Sequence, residues 1–214
     1  MAFSDFKTIS EVLEKFRITY TVKDFVPIEE TSCVPSEQFL QDFEFCTQYI
    51  DVFASEAARC EAIIFPILKE VYKAYADNYA LWIKKTITYD ETLSGTPDYL
   101  ISTRSELGIP VVGIPLIILV EAKKNDFDQG WGQCIAEMLA AQKINGDAEF
   151  PVYGIVSDGK WWEFGQLVGD AFTRNRTSVA MDNLPRLFGA VDAVFKASCN
   201  GHHMYMSREN STDV

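Results

Sequence analysis

A chain of 214 residues, 48% of them apolar and 13% aromatic, has the material for one sizeable core and is not disordered along its length. Its formal charge of −12 argues against a nucleic-acid binder, because phosphate contact needs a positive surface, although bound metal would neutralise part of it and a local basic rim can coexist with an acidic remainder. Five scattered cysteines without a Cys-x-x-Cys pair, and two histidines confined to a polar tail, argue against a zinc site, a disulfide framework and histidine-based triads.

The amino terminus, Met1-Ala2-Phe3-Ser4, lacks the basic start and apolar run of a secretory signal. The longest apolar stretch, 108–120, is broken by Pro110 and Pro115 and falls short of the roughly 20 residues of a membrane-spanning helix, so a cytoplasmic location is expected. Residues 10–17 predict a short amphipathic helix capped by Ser10, followed by an alternating strand at 18–22 and an acidic loop at 27–36. Residues 36–78 have helical periodicity and resolve into two helices meeting near 53–56. The second carries an apolar stripe of Ala57, Ile64, Leu68, Val71 and Tyr75 that also includes Glu61, with Pro66 expected to kink it. A strand at 81–90, a turn at Ser94-Gly95 and a strand at 97–102 form a predicted hairpin. After a loop at 103–113, the unbroken apolar run that ends in Glu121-Ala122-Lys123 marks a central strand covered on both faces.

Asp126 or Asp128 is placed to cap the next helix, which stops near Asn145-Gly146. A strand at 151–157, a two-residue turn at Asp158-Gly159 and a strand at 160–165 follow, then a helix at 183–197 and a polar tail expected to be disordered. The expectation is an α/β fold with helices on both faces of its sheet. Its divisions are an N-terminal extension (1–54), a core (55–199) and the tail (200–214).

Asp98, Glu121 and Lys123 carry the chemistry of this pattern. Strand side chains alternate, so Glu121 and Lys123 share a face roughly 6–7 Å apart. An adjacent strand brings Asp98 to the same point. Two carboxylates and the Ala122 carbonyl are hard oxygen donors for magnesium, or manganese in its place, with positions left for water and a phosphate. Lys123, its pKa expected to be depressed by partial burial, would orient the water or move a proton.

Pro97-Asp98 and Glu121-Ala122-Lys123, with one loop and one strand between them, resemble the PD-(D/E)xK nuclease superfamily, the restriction-endonuclease-like fold. The element order over about residues 55–165 looks like that group's α-β-β-β-α-β core. It is most similar to the nuclease-type domains of type I restriction subunits. The resemblance implies magnesium-dependent hydrolysis of DNA, of restriction, repair or mobile-element type. It implies a further acid on the first core helix, for which Glu61 stands ahead of Glu56. It also implies a glutamine on the helix after the lysine strand, where Gln129 and Gln133 lie four residues apart. DNA is the implied partner, with a homodimer or a partner subunit suited to cutting two strands.

The competing reading keeps this scaffold without catalysis, as a binder of nucleic acid or of a partner protein. Among the remaining side chains, Lys84, Lys85, Arg104, Lys160, Arg174 and Arg176 are candidate phosphate contacts. Trp131 is expected in the core. Trp161 and Trp162, adjacent on a strand, must face opposite ways, which leaves one ring exposed.

Overall fold

The computed structural model describes residues 2–27, 33–123 and 126–212, with side chains through residue 200. A 3-10 turn (Phe3–Asp5) precedes α1 (Ile9–Phe16), β1 (Thr19–Val22) and α2 (Glu37–Tyr49). A helical rod follows, built of α3 (Glu56–Arg59), a π-helical turn (Cys60–Ile64) and α4 (Phe65–Tyr72). Next come β2 (Tyr79–Ile83), β3 (Ile87–Thr88), β4 (Ser94–Gly95), β5 (Tyr99–Arg104), β6 (Val112–Ala122) and α5 (Phe127–Asn145). The last elements are β7 (Val152–Ser157), β8 (Trp161–Val168), β9 (Ala171–Arg174), β10 (Val179–Ala180) and α6 (Leu184–Thr212).

The main sheet runs β1-β9-β8-β7-β6-β5-β2, with β10 on β8, while β3 and β4 pair separately. β6 lies parallel to β7 and β1 parallel to β9; the other pairs are antiparallel. A parallel pair needs a long crossover, and α5 supplies the one between β6 and β7. The protein is a mixed α/β fold whose sheet is flanked by helices on both faces. Alternation along the central strands feeds two cores: Tyr99, Val120, Ile155 and Phe164 pack with the rod and α6, and Leu100, Leu119, Val156 and Leu167 with α1 and α5. Leu116 to Ala122 are all buried, as expected of a central strand.

Trp131 is fully buried on the second face, over Gly154 and Gly165, which stand opposite each other on β7 and β8. A methyl group at either glycine would meet that indole or its neighbours at 3.1 Å or less. Trp162 is fully buried and Trp161 is 49% exposed, the in–out pair that alternation requires. Asp126 caps α5 by accepting from the Gln129 amide at 3.0 Å, and Gly146 ends it at φ 76°.

Several local expectations need correction. Thr8, not Ser10, caps α1, accepting from the Glu11 amide at 3.3 Å, the three-residue reach an N-cap needs. Pro66 stands at the start of α4, in a rod that is helical through Tyr72. The π-helical turn ahead of it, closed by Phe65 N–H to the Cys60 carbonyl, accommodates a residue that cannot donate. The strand expected at 81–90 stops at Ile83, since Lys84 turns into the left-handed region at φ 50°. Ser94-Gly95 is the strand β4 and not the turn. The turn lies at Asp90, whose carboxylate accepts from the Thr92 and Leu93 amides at 2.8 and 2.7 Å. Asp158-Gly159 is wider than two residues, because Asp158 holds both the Lys160 and Trp161 amides, at 2.9 and 2.8 Å. The N-terminal segment contributes the edge strand β1 to the main sheet, β9 and β10 were not foreseen, and α6 continues to Thr212 through the segment expected as a disordered tail.

Candidate functional site

The β5–β6 ladder ends where its chemistry begins. The register Tyr99↔Val120 continues to Pro97 opposite Ala122, and proline has no N–H to give the Ala122 carbonyl. The Asp98 side chain takes over, its Oδ2 accepting from the Ala122 amide at 2.7 Å. Its Oδ1 is ion-paired with Lys84. The Lys84 amide also donates to the Asp98 carbonyl at 3.0 Å, so one residue grips Asp98 through both backbone and side chain. Its left-handed backbone costs about 1–2 kcal/mol, offset by those two bonds.

Glu121 follows Leu119 onto the α5 side of the sheet. It is 5% exposed, and its Oε1 accepts from Lys123 Nζ at 2.7 Å. Gly130 in the first turn of α5 makes room for this lysine, since a methyl group there would stand 3.0 Å from Lys123 Cγ. Behind them lies Glu137, 1% exposed, hydrogen-bonded to Glu121. Its Oε2 and the Oε1 of Gln133, one turn earlier on α5, are buried and have no partner among the described residues.

Burial pushes the Glu121 carboxyl up to about 7, with Asp98 adding to the rise while Lys123 and Glu137 oppose it. Glu137 is raised well above the ordinary carboxyl value, by burial first and then by Glu121 and Asp98, which favours its protonated form as a donor to Glu121. Desolvation pulls Lys123 down, but Glu121, Glu56 and Asp98 outweigh it and the net shift is upward. The expectation of a depressed Lys123 is therefore overturned: three carboxylates hold it as an ammonium.

Asp98, Glu121 and Lys123 thus gather at neighbouring strand ends, and Gln133 points its buried amide oxygen to no protein partner. Glu61 does not join them. It is exposed on the π-helical turn beside the other core, and its field is felt at Tyr99; Glu56 is the helix acid that acts on Lys123. Arg174, a candidate phosphate contact, is ion-paired to Glu163 at 2.5 Å, and Glu163 also accepts from Trp131 Nε1 at 2.7 Å. Glu137 is a site residue the sequence reading missed, and Lys84, expected there as a phosphate contact, pairs with Asp98 instead. The readable signal for Glu137 was a glutamate four residues after Gln133 on an otherwise apolar helix.

Among the described residues, no three His, Cys, Asp or Glu side chains are arranged to hold a metal ion. The donor chemistry nonetheless suits a hard cation, with two carboxylates, a carbonyl that proline leaves outside the ladder, and two orphaned buried oxygens. No protein-family model matches the chain, and no curated protein does.

Proposed function

We propose that the protein is a metal-dependent nuclease of the restriction-endonuclease-like type that hydrolyses DNA phosphodiester bonds. The observation that carries this reading is the meeting of Asp98 and Glu121 at adjacent strand ends, with the Lys123 ammonium 2.7 Å from Glu121. The succession of helical rod, β2, β5, β6, α5 and β7 supports it, being the α-β-β-β-α-β order of that fold once the small β3–β4 pair is set aside.

Asp98, Glu121 and the Ala122 carbonyl would hold magnesium or manganese. When bound, the cation supplies positive charge against the negative charge developing on the phosphate. Lys84 yields Asp98 readily, its side chain being 60% exposed. Lys123 remains charged throughout, donating to the attacking water or a phosphate oxygen, while Glu137 braces Glu121 from the core side. Cleavage of plasmid DNA with magnesium or manganese tests the reading. Lys123→Ala and Asp98→Asn are expected to lose at least about 100-fold in rate while remaining folded. Equal cleavage by wild type and variants would mean that the activity comes from a contaminant.

A second reading, a nuclease-like scaffold that binds without cutting, is favoured by one feature: both carboxylates are already closed by lysines. It predicts DNA or partner binding with no cleavage under any divalent cation.

A further inference from the structure

Beside the carboxylate site, the β7–β8 hairpin tip and the start of the helical rod enclose a second feature that the catalytic reading does not use. Lys123 donates its amide to the Ser157 carbonyl at 2.9 Å, and the tip begins at the next residue, Asp158. Glu56, which acts on Lys123, lies one turn before Arg59 on α3. The two places are therefore neighbours at one end of the sheet.

At this tip an open cavity of about 260 Å³ is lined by Phe53, Lys160, Trp161, Met181 and Asp182, among others. Lys160 is exposed, with its ammonium 4.5 Å from the Phe53 ring centre, and the Arg59 guanidinium stands 5.7 Å from the same centre. Arg59 is 5% exposed, and its Nε and Nη1 have no acceptor among the described residues. Among the described residues neither cation forms an ion pair. In a chain of net charge −12, two unneutralised cations sharing one ring are out of character. A buried guanidinium without an acceptor is a cost that a nearby anion relieves. Trp161 adds a half-exposed indole on the same cavity wall, and tryptophan is a residue enriched where proteins meet partners.

We propose that this cavity holds one unpaired nucleotide of the substrate strand, its base stacked on Trp161 and its phosphate on Lys160, within the field of Arg59. A flat ring beside positive charge is how proteins hold single strands without reading sequence. The occupant is an unstacked base, because a base inside a duplex presents no face to an indole. Asp182, on the same wall, disfavours a second phosphate there and confines the site to one nucleotide.

This inference rests on the nucleic-acid reading of the neighbouring carboxylates, and its test separates the two. Full-length protein in EDTA, which prevents cleavage, is titrated into a fluorescein-labelled oligothymidine and into an abasic oligomer of equal length, followed by anisotropy. Wild type is expected to bind oligothymidine roughly five- to a hundredfold more tightly. Trp161→Ala removes that preference, and Trp161→Phe retains part of it. Lys160→Gln weakens both oligomers alike and lowers the salt slope by about one. A Trp161→Ala protein that keeps the preference, or a wild type that binds neither oligomer, overturns the inference. If wild type cleaves DNA while Trp161→Ala binds as wild type, only the inference fails. If the preference depends on Trp161 and no cation supports cleavage, the nucleotide site stands and the catalytic reading fails.

Discussion

Glu137 shows what the interior of this protein tolerates at a single residue. A carboxyl 1% exposed, next to two other carboxylates, stays protonated because ionising it in that setting is costly. The consequence for stability has a definite sign. Both Glu121 and Glu137 are held above the ordinary carboxyl value of 4.5, so the folded state keeps protons that the unfolded chain has released. Their contribution is fully present at acid pH and is lost as pH rises, for Glu121 through about 7. Glu137→Gln preserves the donor to Glu121 and removes the penalty. It is expected to gain about 1–3 kcal/mol at pH 8 and almost nothing at pH 4, read by urea melts in EDTA. Equal stability at pH 8 would mean that Glu137 is not held neutral. Asp98, Glu121 and Lys123 were legible because strand alternation and a proline stop are local facts. Glu137 was not, nor was the pairing of Lys84 with Asp98, since these approaches depend on how α5 sits against β6 and on the β2–β5 register. Lys123 was misjudged for a related reason: burial can be guessed from an apolar strand, but the number of carboxylates converging on it cannot.

Among the elements, misreadings cluster where a period changes. The π-helical turn inserts an extra residue into the rod, so the positions before it are out of phase with those after it: Ile64, Leu68 and Val71 are buried as expected, whereas Ala57 and Glu61 are exposed and Arg59 is buried. A constant period of 3.6 cannot show this. Caps and stops at Asp126 and Gly146 were legible because each is a side-chain or backbone demand of one residue. β9 and β10, four and two residues long, carry too little periodicity to stand out and exist through pairing with β8. The glycine pair on β7 and β8 has a clear role once Trp131 is seen above it. Gly165→Ala would place a methyl group 2.6 Å from Phe172 and 2.7 Å from Trp131. It is expected to lower stability by about 1–3 kcal/mol in denaturant titration, or by more if the two rings cannot shift. An unchanged midpoint would show that α5 is less tightly seated on the sheet than these distances require.

At the scale of the molecule, the fold class followed from apolar runs with helical patterns on either side. The strand order did not, because a parallel edge between β1 and β9 joins segments about 150 residues apart. None of the described helices is long and apolar enough to cross a membrane. The acidic charge is spread over the whole chain, whereas Lys84, Lys123, Arg59 and Lys160 belong to one end of the sheet around Asp98 and Glu121. Lys84 and Lys123 are paired there with Asp98 and Glu121, which leaves Arg59 and Lys160 as the cations of that end without an ion pair among the described residues; if that end meets a polyanion, as proposed, salt would weaken the meeting. As proposed, Asp98 and Glu121 would hold a divalent cation if Lys84 and Lys123 gave way. Calorimetric titration of manganese into the wild-type protein tests it most directly, with Asp98→Asn and Glu121→Gln run alongside. Wild type is expected to take up one ion per chain and both variants to lose that uptake; no uptake by wild type, or equal uptake by all three proteins, would rule the metal site out.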